Sequence, residues 1–145
     1  MRKRLFFKLA IWYYNTVLRY EVLIIITKGA YMKIGFGSDH SGVALKHILM
    51  EHVRNKGYEC VDYGASDSKV PANYAEFGLK VAEAIKSREV EKGVMVCGSG
   101  VGISLAANKV PGVRAAACSE PCTAKLAVEH SDINAVAMGV CIVGP

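Results

Sequence analysis

The sequence predicts an α/β fold in which a mainly parallel, five-stranded sheet lies between two layers of helices. Short β-branched runs alternate with amphipathic helical stretches from Met32 onward. Repeated strand–helix–strand units of this length close as parallel strands joined by right-handed crossovers. The apolar run Val94-Met95-Val96-Cys97 passes directly into Gly98-Ser99-Gly100-Val101-Gly102, which reads as a buried parallel strand feeding a glycine turn and a helix. Polar groups, Asp39-His40, Cys97-Gly98-Ser99 and Ser119-Glu120, stand at expected C-terminal strand ends, where such sheets bind ligands. Three clusters distant in sequence are therefore expected to face one crevice.

The elements follow in order. Residues 34–38 form the first strand, and Asp39, Ser41 or both cap a helix with Leu45, Ile48, Leu49 and Val53 on its buried face. Asn55-Lys56-Gly57 stops that helix. Residues 59–63 are the second strand and 64–69 a polar loop, before a helix over 74–87 with a stripe of Gly78, Val81, Ala82 and Ile85. Strand three covers 94–97, and the small-residue stretch 103–109 is its helix. Pro111-Gly112 turns into strand four, 113–118, while Ser119 and Pro121 open a helix ending near His130. Residues 134–138 and 141–143 are the last apolar runs.

A chain of 145 residues accommodates one domain with one core. Its formal charge of +5 is concentrated at the start: Arg2, Lys3, Arg4, Lys8, Arg19 and Lys28 face only Glu21 before Met32, and the rest is neutral. A nucleic-acid partner loses its support, because that affinity needs a basic face. Five cysteines in no framework spacing favour reduced thiols and a cytoplasmic protein. Cys118 and Cys122 lack the companion ligands of a zinc site, so no metal is expected. The start resembles a signal peptide, but Lys8, Arg19 and Glu21 interrupt it, and nothing reaches the ~20 apolar residues of a membrane span. Residues 1–31 are read as an extension outside the domain, with Met32 as the expected true start and 32–145 as the domain.

Three glycines at alternate positions after Cys97 let backbone N–H groups converge as an anion-binding nest at a helix start. That positive environment also favours a thiolate. The alternative is that Cys97 is a small buried hydrophobe. Each other candidate has a similar plain reading: Asp39 caps a helix, His130 complements a helix dipole, and His40 lies at the surface. His47 and His52, on the first helix, read as ordinary.

Gly37-Ser38-Asp39-His40-Ser41-Gly42, Cys97-Gly98-Ser99-Gly100-Val101-Gly102-Ile103-Ser104, Ala106-Ala107-Asn108-Lys109 and Val113-Arg114-Ala115 together resemble the ribose-5-phosphate isomerase B and galactose-6-phosphate isomerase family over residues 32–144. The resemblance implies a Rossmann-like fold and a metal-free, cofactor-free aldose–ketose isomerase acting through a cis-enediolate, with ribose 5-phosphate the first-choice substrate. It also implies a homodimer or dimer of dimers with sites at the subunit interface. Carried to matching positions, Cys97 is the carbon base and Ser99 the hydroxyl relay. Asp39 and His130 open the sugar ring, and His40 lies near the phosphate. The amides of Gly98, Gly100, Val101, Gly102 and Ile103 form the anion hole, and Ser131 follows His130 on the substrate side.

The chain departs from that family's usual pattern in places. Ser131 replaces an asparagine, Cys141 replaces a phosphate-binding arginine, and Tyr74-Ala75 replaces Tyr-Pro. The family's C-terminal helix and its arginine-bearing tail are expected to be missing. Arginine's bidentate phosphate contacts have no equivalent in cysteine, so a weakly active or inactive phosphosugar-binding paralogue, or a truncated fragment, is the alternative reading. A dinucleotide-binding domain fits poorly, since the third glycine falls one position early and follows strand three. A cysteine hydrolase built on Cys97 and His130 is a further option, tested by acyl-ester turnover.

Overall fold

The computed structural model describes residues 32–144; the expectation that residues 1–31 stand outside the domain lies outside the described residues. The described chain folds as β1 (Lys33–Ser38), α1 (Val43–Arg54), β2 (Glu59–Asp62), α2 (Tyr74–Lys86), β3 (Lys92–Cys97), α3 (Val101–Ala107), β4 (Ala115–Ala117), α4 (Pro121–Ser131), β5 (Ala135–Gly139) and the single turn α5 (Val140–Val143). All the pairings are parallel, in the order β2-β1-β3-β5-β4. The α/β expectation holds.

Alternation along the strands builds two cores. Ile34, Phe36, Val94, Val96, Val136 and Met138 face α1, from which Leu45, Leu49 and Val53 pack down. Met95, Cys97, Ala135 and Ala137 point to the other face, under Val81, Ala82 and Ile85 of α2 and Ile103 and Ala107 of α3. The central strands are buried on both sides, so β3 reads as a continuous apolar run.

Several local expectations are corrected. Ile48, expected on the buried face of α1, is 40% exposed, and Lys46 is wholly buried instead. Lys46 is accommodated because its Nζ donates to Asp62 Oδ1 at 2.8 Å and to the Ala65 carbonyl at 2.7 Å. Neither Asp39 nor Ser41 is the N-cap of α1; that position is Gly42, without a side-chain bond. Helix α3 starts two residues earlier than expected, because Gly100 takes φ +80° as its N-cap and turns the chain at once. Its added Cβ would lie 2.8 Å from the Met138 carbonyl carbon, so this turn needs glycine twice over. Strand four shrinks to an edge segment paired only to β5. Helix α4 is capped by Glu120 rather than Ser119, its carboxylate accepting from the Cys122 and Thr123 amides and the Thr123 hydroxyl. Pro121 occupies the first turn as expected.

Burial pushes the Cys60 thiol from its ordinary 9.0 up to about 11, against the opposing pull of Arg54 and with help from Glu59. Burial and the hydrogen bond to Glu89 raise Tyr63 from 10.0 to about 12. Above pH 9 the unfolded chain therefore releases protons that the folded chain keeps, and stability falls as pH rises through the window from 9 toward 12. Thermal melts are expected to show a Tm that declines above pH 9, less steeply in Cys60→Val. A flat Tm from pH 8 to 11 would contradict these shifts.

Candidate active site

The C-terminal ends of β1, β3 and β5 lie side by side. Ser38 pairs with Val96, and Cys97 pairs with Gly139, so Asp39, Cys97 and the start of α5 emerge at one edge of the sheet about 5 Å apart per strand. The Asp39 amide donates to the Val96 carbonyl at 3.2 Å, fixing the first two together.

Asp39 is buried, and its Oδ1 accepts from the Ser41 amide, the Ser41 hydroxyl and the Gly42 amide at 2.9, 2.6 and 3.1 Å. The carboxylate thus closes the turn ahead of α1 with one oxygen, and Oδ2 is left for another hydroxyl. His40 Nδ1 accepts from the Ala72 amide at 3.1 Å, so the neutral ring carries its hydrogen on Nε2. That bond ties the loop ahead of α2 to the site.

Cys97 is 3% exposed, and its Sγ accepts the Gly100 N–H at 3.1 Å. The exposed Ser99 accepts the Val101 N–H through its hydroxyl at 3.3 Å. Of the amides expected to form the nest, those of Gly100 and Val101 are engaged by the loop's own side chains. Gly102 and Ile103 lie in the first turn of α3, where amides lack an intrahelical partner. An added Cβ on Gly102 would sit 2.7 Å from the Tyr74 ring, so Tyr74 covers this turn. The sequence does not mark Tyr74 as a site residue; its signal there is its place at the start of the helix over 74–87.

The Cys141 amide donates to the Gly98 carbonyl at 3.0 Å, which sets Cys141 directly beside the loop. Ser119 and Glu120 lie at the same edge beyond β4, with β5 between them and β3.

The structure does not bring His130 and Ser131 of the same chain to this edge. Helix α4 runs back against the strands, and the chain enters β5 at Ala135, which pairs with Gly93 at the opposite end of β3 from Cys97. Four residues of strand separate those ends, ~13 Å. Both His130 and Ser131 are exposed there. Among the described residues no three His, Cys, Asp or Glu side chains converge as a metal site. No helix among them is long and apolar enough to cross a membrane.

Residues 34–145 match the family model described as Ribose/Galactose Isomerase. The chain is 45% identical to ribose-5-phosphate isomerase B of Escherichia coli, over 77% of this chain and 74% of that one. It is 37% identical to a 4-deoxy-4-sulfo-D-erythrose isomerase of a Clostridium species, over 77% and 70% of the two chains. The solved structure of ribose-5-phosphate isomerase B from Clostridium thermocellum superposes with a TM-score of 0.76 at 49% identity, covering 78% of this chain and 76% of that one. With the same parallel α/β sheet and this level of identity, the chain belongs to the Ribose/Galactose Isomerase family of sugar isomerases.

Proposed function

We propose that this protein interconverts ribose 5-phosphate and ribulose 5-phosphate, with Cys97 as the carbon base and with each site completed by a second copy of the chain. The observation that carries this reading is the Gly100 N–H on Cys97 Sγ at 3.1 Å, inside a glycine loop that opens beside the Asp39 carboxylate. A thiol whose only role was to fill the core would not need a donor at sulfur or a neighbouring set of amides.

Ring opening comes first. Asp39 Oδ2 takes the proton of the anomeric hydroxyl while His130 protonates the ring oxygen, and the bond from C1 to that oxygen breaks. His130 stands at the far edge of its own sheet, so the imidazole that serves this step comes from the second copy. Cys97, as thiolate, then removes the C2 proton, and the electron pair forms the C1–C2 double bond of the enediolate. The negative charge gathers on oxygen, which the amides of Gly98, Gly102 and Ile103, not engaged by the side chains of Cys97 and Ser99, stabilise in this reading. Ser99 passes the hydroxyl proton from the C2 oxygen to the C1 oxygen, and the Cys97 thiol, after exchanging its proton with solvent, delivers a proton to C1 to give the ketose. His40, with hydrogen on Nε2, donates to the phosphate.

A second reading, a phosphosugar binder with weak or no turnover, is favoured by Cys141, which sits on the Gly98 loop in place of an arginine. One charged hydrogen bond is worth about 1.5–3 kcal/mol, so Cys141→Arg is expected to lower KM for ribose 5-phosphate by ~10-fold or more with little change in kcat. An unchanged KM would show that position 141 does not touch the phosphate.

The deciding experiment incubates the full chain with ribose 5-phosphate and follows ribulose 5-phosphate by NMR. Turnover supports the first reading, and saturable binding without turnover supports the second. No binding and no turnover, on this and other aldose phosphates, overturns both.

A further inference from the structure

We propose that Arg114 is a positioning residue for His130, latching the end of α4 so that the imidazole is presented outward to a second copy. The inference rests on the reading above, in which His130 serves another chain's site.

Helix α4 has a limited apolar hold on the domain, for Ala124 is its single fully buried residue and Val128 packs only partly against the core. The end of the helix, beyond Val128, is fixed by polar contacts. Arg114 supplies them: Nε donates to the Asp132 carbonyl at 2.7 Å, Nη2 to Asp132 Oδ2 at 2.8 Å, and Nη1 to the Gly112 carbonyl at 3.3 Å. Asp132 is the C-cap of α4, two residues after His130, and it is held at φ +47°. Asp tolerates that left-handed backbone better than most residues with a side chain, and glycine there would lose the carboxylate that Arg114 grips. Asn134 completes the latch, its Oδ1 accepting the Arg114 amide at 2.8 Å and its Nδ2 donating to the Gly112 carbonyl at 2.8 Å. The planar fork of arginine meets a carboxylate and two carbonyls at once, which a lysine cannot reproduce.

The test uses mixed assemblies. Cys97→Ala and His130→Ala chains, each inactive alone, are co-expressed, so that a hybrid holds one site with Cys97 from one chain and His130 from the other. Absence of restored activity at this stage would sink the shared-site reading itself. Arg114→Gln is then added to one chain at a time. On the Cys97→Ala chain, which donates the working His130, it is expected to lower kcat/KM of the hybrid by at least ~10-fold. On the His130→Ala chain it is expected to leave hybrid activity unchanged. Asp132→Asn, which keeps the left-handed cap and weakens the grip, is expected to show the same chain dependence with a smaller loss. Equal losses in both arrangements, which a merely structural role would produce, or no loss in either, would overturn the proposal.

Discussion

Cys97→Ala is expected to abolish both turnover and exchange of the substrate's C2 proton with solvent, while binding of ribose 5-phosphate stays nearly intact. The thiol is buried under the glycine loop and touches the Gly100 amide. A general base contributes ~10² to 10⁴ in rate, so the residual rate falls by at least that range. The small side chain of alanine leaves the loop intact, because the turn itself depends on Gly100 and on its packing against β5. Near-full turnover in the alanine variant would remove Cys97 from the mechanism. Loss of binding together with turnover would make it a structural residue of the loop.

The second large effect is on stability. Asp62→Ala is expected to destabilise the fold by about 2–4 kcal/mol, because it leaves the wholly buried Lys46 ammonium with the Ala65 carbonyl but without a counter-charge. The value sits at the lower end for a broken buried pair because the Asp62 side chain is itself 32% exposed. In a domain of this size that corresponds to a Tm fall of about 10 °C. The consequence reaches the site. Asp62 also accepts the Gly64 amide at 2.8 Å, and the next residue, Ala65, donates to the Ser38 carbonyl immediately before Asp39. Asp62→Ala is therefore expected to raise KM as well as lower Tm; a variant as stable as the parent in thermal melts would show that Lys46 finds water or another partner.

The parts of the molecule that sequence foretold are those governed by local periodicity and chain connectivity. The apolar run of β3, its glycine turn and the α2 stripe of Val81, Ala82 and Ile85 each carry one strong pattern, and the structure follows it. Parallel pairing followed from the alternation of strands and helices, and with it the clustering of Asp39 and Cys97 at one sheet edge.

What pattern could not supply depends on partners far along the chain. Lys46 lies in register with Val43, Leu49, Met50 and Val53 on the buried side of α1, but charge argues for solvent until Asp62 and Ala65 are known to meet it. Sequence places Asp39 or Ser41 at the cap of α1, whereas the Asp39 carboxylate serves the turn before the helix, a choice between two nearby sets of amides that sequence leaves open. His130 is the most instructive case. The family resemblance assigns it to ring opening and its place at a helix end suits a structural role, whereas the direction of α4 carries it away from Cys97 of the same chain. One sequence does not reveal whether two residues meet within a chain or between copies.

The central claim is that a protein base moves the C2 proton through an enediolate. Its most direct test gives the full chain ribose 5-phosphate deuterated at C2, in ordinary water, with the label followed by NMR at early conversion. The account predicts that deuterium appears largely in solvent and that the ribulose 5-phosphate formed carries mostly hydrogen at C1, in one stereochemical position. Quantitative transfer of the label from C2 to C1, unchanged by substitution of Cys97, would mean direct hydride migration and would contradict it.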